Sequence, residues 1–208
     1  MNRLSVDERA AILSALAEGR GVQATCGLIR TSKNTVLKLV TDVGQACVAY
    51  ADRHLRALPV RRLHCEATPT PGGAWTFSAI DADTRLVLCW RVGSGAHSGA
   101  EAFVAEAASR ANEPVTATVG LAGLRNDTGK GFSGALEAVS QTPADKAKLL
   151  KHLHAVSLHF MVHNFVTALP STGRSPAMAA GLAPALWTMQ HIVRLAEGHE
   201  PERPAVVV

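Results

Sequence analysis

Apolar and polar positions divide the chain into a helical opening, a strand-rich middle and a helical end. From residue 5 to 58 the apolar residues recur at helical spacing, and Ile12, Leu13 and Leu16 supply the buried side of a first helix. Ser5 followed by Val6-Asp7-Glu8 has the form of a capping box, with a hydroxyl before the helix and an acid at its third position. Gly19 ends this helix, because glycine enters the left-handed turn without a Cβ clash. Val22 to Ile29 predicts a short second helix and Arg30-Thr31-Ser32 a tight link. Ser32 then caps a third helix that begins KNTVLKLV. The helical spacing continues through Tyr50 to Leu58, with a kink expected near Gly44, and Pro59 stops it.

Residues 60–66 predict a short strand that ends at Glu66. Residues 74–80 (AWTFSAI) and 85–92 (RLVLCWRV) predict two more, joined by Asp81-Ala82-Asp83-Thr84 as a hairpin. Their alternation is broken, the pattern of strands buried on two faces. Residues 98–111 predict a helix on Ala102, Phe103, Ala107 and Ala108, and Val115 to Val119 a weaker strand. Residues 120–145 hold the glycine-rich GLAGLRNDTGKGFSG and show no period, so a loop is expected there, with a short helix after Gly134. Pro143 opens a long helix that runs to 168. Ser175-Pro176 starts a short helix closed by Gly181, and Thr188 caps a last one, MQHIVRLAE. The tail after Gly198, HEPERPAVVV, is expected to fray. The class this predicts is α+β, with a helix-turn-helix over 1–58, a mixed domain over 59–198 and a tail over 199–208.

Composition narrows the reading. Apolar residues make up 47% of the 208 and charged residues 18%, enough to bury a core. No run of 18 apolar residues exists, so no membrane span is expected. The opening MNRLSVDERAAIL carries acids where a signal peptide would carry an apolar core, so the cytoplasm is the expected compartment. Cys26, Cys47, Cys65 and Cys89 stand singly, without the paired spacing of a zinc ribbon or redox site, and inert thiols are expected. The net charge of +4 is mild, but its placement is uneven. Residues 20–62 carry Arg20, Arg30, Lys33, Lys38, Arg53, Arg56, Arg61 and Arg62 against only Asp42 and Asp52.

That cationic segment is also the helix-turn-helix. A recognition helix presents short polar or basic side chains at its N-terminal end to base edges and phosphates. Ser32, Lys33, Asn34, Thr35 and Lys38 have those types, with Val36, Leu37 and Val40 to pack behind them. Double-stranded DNA is the expected partner. Elsewhere the chemistry is weaker. Lys130 follows a glycine as in a phosphate loop, but Gly131 replaces the required Ser or Thr, so a plain loop is expected. His159 and His163 lie four apart on the long helix, a spacing that can share a metal. Beside them and His152 run Leu149, Leu153, Val156 and Phe160, so neutral histidines flanking a core are expected. A two-metal site needs carboxylates converging from separate segments. Glu66 is well placed for one, Asp81 and Asp83 read as turn formers, and Glu101, Glu106 and Glu137 fall on expected helices. Spacing alone selects no triad.

The order of these segments resembles a known family. LSVDERAAILSALAEG, ATCGLIRTSKNTVLKLVTDVG, AWTFSAIDADTRLVLCWRVG, HAVSLHFMVHNFV, and SPAMAAGL with LWTMQHIVRL together are similar to bacterial insertion-sequence transposases of the insertion sequence one family. The resemblance covers roughly residues 2–66, 73–111 and 146–196. It implies a helix-turn-helix that reads the terminal repeats of the element, and an RNase H-like catalytic domain with two Asp and one Glu binding divalent metal, Mg2+ if catalytic. Glu66 stands where the family keeps its first metal ligand and is the candidate catalytic residue the resemblance implies. The second falls at Val119 or Gly120, neither of them an acid, and most of the stretch with the family's Glu is missing, Glu137 being the nearest candidate. The expectation is therefore a shortened RNase H-like domain with a degenerate site. Two alternatives stand beside it: an active transposase with relocated acids (Glu66, Asp127, Glu137), and a helical protein that forms homo-oligomers through residues 146–196.

Overall fold

Three helices open the chain in the order the spacing of apolar residues predicts: α1 (Val6–Ala17), α2 (Val22–Ile29) and α3 (Lys33–His54). The computed structural model describes residues 4–69, 75–93, 100–121 and 146–201. At the start of α1 the Ser5 N–H donates to Glu8 Oε2 at 2.8 Å and the Glu8 N–H to Ser5 Oγ at 3.2 Å. The backbone N–H of Ser5 holds the Glu8 carboxyl below its usual value. Arg30 ends α2 in the left-handed region, with φ 53° and ψ 47°. Ser32 Oγ caps α3 by accepting the Thr35 N–H at 3.1 Å.

α3 runs unbroken through Gly44 and ends at His54, short of the expected Leu58. The chain leaves the helix early because its next backbone groups find other partners. The Leu58 N–H donates to Arg110 O and the Asn112 N–H to Leu58 O, both at 2.9 Å.

The four strands are β1 (Arg62–Pro69), β2 (Trp75–Asp81), β3 (Val87–Gly93) and β4 (Thr116–Leu121), in the order β3-β2-β1-β4. β1–β2 and β2–β3 are antiparallel, and β4 runs parallel to β1. β1 extends three residues past its expected end because Ala67, Thr68 and Pro69 continue the ladder opposite Phe77, Thr76 and Trp75. Glu66 is therefore inside the strand, not at its end. The hairpin turn forms as expected: the Asp81 carboxylate accepts the Asp83 N–H at 3.3 Å and the Thr84 N–H at 3.2 Å.

Alternation gives the sheet two unlike faces. Leu63, Cys65 and Ala67 share one with Phe77, Ala79 and Cys89. Helix α4 (Ala100–Ser109) covers it, with Phe103 against Phe77 at 5.7 Å. The other face carries His64, Glu66, Thr76, Ser78 and Trp90. Helix α5 (Lys146–Phe165) lies over its β2–β3 side. There Trp90 Nε1 donates to Ser157 Oγ at 2.6 Å and the Trp90 and Phe160 rings lie 5.4 Å apart. Asn164 clasps the backbone of β3: its Oδ1 accepts the Val87 N–H at 2.9 Å and its Nδ2 donates to Val87 O at 2.8 Å.

α5 also packs along α3. The last helices, α6 (Pro176–Ala179) and α7 (Met189–Leu195), follow. Ser175 Oγ caps α6 by accepting the Met178 N–H at 3.2 Å, and Gly181 closes that turn at φ 72°. α7 lies against α1, where Arg9 pairs with Glu197 at 2.5 Å and Gln190 donates to Asp7 at 3.2 Å. Phe165 stacks on Trp187 at 4.1 Å, and Tyr50 meets both edge-on. Leu13, Val43, Leu63, Phe77, Phe103, Leu158 and Ile192 all belong to one buried cluster, so α1–α3 share a core with the sheet and the late helices.

Candidate functional site

The α2–α3 turn is shaped by two local choices. Left-handed Arg30 reverses the chain, and the Ser32 cap fixes where α3 begins. The capped end leaves Ser32, Lys33, Asn34 and Lys38 exposed and Thr35 half-buried, while Val36 and Val40 sit in the core behind them. The structure thus brings together all five residues singled out for DNA contact on one end of one helix. Along the same helix runs an open groove of about 950 Å³, lined by residues of α3 together with Leu4, Arg9, Leu195 and Ala196.

The charge in this region is partly spoken for. Lys38 pairs with Asp42 at 2.6 Å, Arg20 with Glu18 at 3.3 Å, Arg53 with Glu200 at 2.6 Å, and Arg62 with Asp83. Among the described residues Arg30 and Lys33 make no ion pair. Among the described residues Arg56 also makes no ion pair and donates to Asp52 O instead, so two of the segment's three uncompensated cations sit at the α2–α3 turn, where the capped N-terminus of α3 adds its own partial positive charge.

Glu66 lies 8% exposed on the polar face of the sheet. In register it is flanked by Ser78 on β2 and Gly120 on β4. Gly120 is one of the two positions at which a second acid was expected. Val119 pairs with Cys65, so by alternation it belongs to the opposite face, and it is 65% exposed. Glu66 Oε1 lies 2.7 Å from His64 Nε2, and His64 Nδ1 lies 2.9 Å from Thr118 Oγ1. The Thr118 hydroxyl donates to Leu63 O at 3.3 Å. His64 was not singled out from sequence, although its signal was present, because residues two apart in a strand share a face.

The remaining acids do not converge on Glu66. Asp81 is taken up by its turn, and Glu106 pairs with Arg91 at 2.5 Å and Arg110 at 3.4 Å. Glu101 is exposed on α4. Asp127, Glu137 and the Lys130 loop lie outside the described residues. Among the described residues no group of three His, Cys, Asp or Glu is placed to hold a metal ion. No described helix is long and apolar enough to cross a membrane.

The helix histidines are structural in their contacts. His152 hydrogen-bonds Thr76 at 3.3 Å, His163 donates from Nε2 to Arg85 O at 3.1 Å, and His159 lies against Phe160. Burial lowers the pKa of His152, His154 and His163 from the ordinary 6.5, outweighing the Arg85 hydrogen bond at His163 and the charge of Asp42 near His154. The unfolded chain then binds more protons than the folded one below about 6.5, so stability is full above that pH and falls as pH drops through the depressed folded values. The unfolding midpoint should fall across that window, and His154→Leu should flatten the slope, because His154 is buried and its Nδ1 has no hydrogen-bond partner among the described residues. The cysteines are unpaired thiols, as expected. Burial pushes Cys89 up to about 12 and raises Cys47 and Cys65, so none of these three is a reactive thiolate.

No family model, curated protein or solved structure matches the chain.

Proposed function

We propose that this chain is a double-stranded DNA-binding protein of insertion-sequence transposase descent, in which α1–α3 read element ends and the strand-transfer site has degenerated. The observation that carries the DNA reading is the end of α3. One capped helix terminus presents Ser32, Lys33, Asn34 and Lys38 to solvent, beside Arg30, which makes no ion pair among the described residues, and over an apolar underside. That is the arrangement a recognition helix needs, with reach at the front and rigidity behind.

Two features support the descent. Three antiparallel strands with β4 returning parallel beside β1 make the order expected of the first four strands of an RNase H-like sheet. Glu66 and Gly120, the expected first and a candidate second acid position, are direct neighbours in that sheet. The row between β2 and β4 then reads Ser78, Glu66, Gly120, a single carboxylate where strand transfer would need several. The division into a reading part over 1–58 and a transposase-derived part over 59–198 belongs to this proposal, as do a cytoplasmic location and element terminal repeats as the target.

Fluorescence anisotropy on a labelled duplex across a salt series tests the reading. Lys33→Ala should weaken binding and lower the slope of log affinity against log salt by about 0.9, the loss of one phosphate contact. Lys38→Ala should lower it by less, because Lys38 shares its charge with Asp42. Unchanged slopes in both variants would remove this end of α3 from the DNA contact.

A further inference from the structure

We propose that the Glu66 site takes no divalent ion: His64 stands in the metal's place, and the pair, with Thr118, works as a clamp between β1 and β4. The inference rests on the descent proposed above for the role Glu66 once had. It does not depend on DNA binding by α3.

The donors decide it. Magnesium takes hard oxygen ligands in an octahedral shell and is held by carboxylates together with water and phosphate oxygens. Along its row Glu66 meets a serine hydroxyl on one side and a glycine on the other. Along its own strand, on the same face, it meets His64 and Thr68. Among the described residues the nitrogen that holds it is an imidazole, a poor ligand for magnesium. That imidazole already holds one carboxylate oxygen at 2.7 Å.

The hydrogens can be placed in sequence. The Thr118 hydroxyl donates its proton to Leu63 O, so its lone pairs accept the proton on His64 Nδ1. One proton then lies between His64 Nε2 and Glu66 Oε1, whichever atom carries it. Both ring nitrogens are engaged. The imidazole cannot offer a lone pair to an ion, or take a proton from a substrate, without breaking the chain of bonds. What the chain does is tie. It joins Glu66 on β1 to Thr118 on β4 and back to the β1 backbone, alongside the parallel ladder and one same-face position before the Glu66–Gly120 row.

Thermal unfolding of the full chain separates a clamp from a metal site. Glu66→Gln and His64→Ala should each lower the midpoint by about 2–4 °C. The double variant should lose clearly less than the sum, because both changes break the same bond. Millimolar magnesium should leave the Glu66-dependence of the midpoint unchanged. The proposal is overturned if Glu66→Gln is neutral or stabilising, or if magnesium raises the midpoint of the native chain but not of Glu66→Gln. Should a variant fail to fold, manganese added to the native chain gives the same answer by NMR. Signals of the His64 ring should broaden no more than those of other half-exposed histidines, and selective broadening at His64 would overturn the clamp. DNA is absent from both readouts, so failure of the DNA reading leaves them unaffected.

Discussion

Gly44→Ala is expected to lower the free energy of unfolding by about 2 kcal/mol, although it places the best helix former in the middle of a helix. The two effects oppose each other. Alanine gains about 1 kcal/mol over glycine in a helix interior. Against that, a Cβ at position 44 would sit 2.2 Å from the carbonyl oxygen of His154 and 2.6 Å from its carbonyl carbon. These are backbone atoms of α5, so relief requires the whole helix to move away from α3. Overpacking of this kind costs about 1–3 kcal/mol or more, and here it must exceed the propensity gain because no side chain can swing aside. Gly27 on α2 is the control. A Cβ there meets nothing within 4 Å, so Gly27→Ala should stabilise by about 0.5–1 kcal/mol. Urea unfolding of the two variants should shift the midpoints in opposite directions. A stabilised Gly44→Ala would mean that α3 and α5 do not approach this closely.

Asn164→Leu is expected to cost about 2–4 kcal/mol. The side chain is fully buried and serves two backbone groups of one residue, the N–H and the C=O of Val87. Leucine fills a similar volume and leaves both groups without partners in a dry interface, at about 1–3 kcal/mol for each unsatisfied group. Asn164→Asp separates the two bonds. It keeps an acceptor for the Val87 N–H, but an ionised carboxylate would face the Val87 carbonyl, so this variant should recover stability as pH falls and the carboxyl protonates. Denaturant unfolding at neutral and acid pH checks both substitutions. A loss below about 1 kcal/mol for Asn164→Leu would show that water reaches β3 at this point.

What the sequence revealed were features written in adjacent residues. The Ser5–Glu8 capping box, the Ser32 cap, the Ser175-Pro176 start and the Asp81 turn each depend on side chains reaching their own backbone neighbours, and each forms as expected. The α+β class followed from the same local signals. What it hid depends on partners far along the chain. α3 stops at His54 because Leu58 pairs with the segment after α4, not because Pro59 forbids a helix. β1 runs on to Pro69 because β2 continues to pair with it. Gly44 suggested a weak point in a helix, whereas its place in the fold is the crossing of α3 and α5. The site shows the same division. Five residues at the start of α3, four of them exposed, could be chosen from residue types alone. The partner of Glu66 needed the strand's alternation to find it, and Thr118 needed the parallel register of β4.

DNA reading by α3 is tested most directly by selection from a random duplex pool with the full chain, followed by titration of the enriched sequence against a scrambled one at fixed salt. The expected result is a single enriched motif, bound at least about 10³-fold more tightly than the scrambled duplex. Asn34→Ala should erase that preference while leaving the weak, salt-sensitive binding that Lys33 supports. Equal affinity for enriched and scrambled duplexes, unaltered by Asn34→Ala, would contradict it.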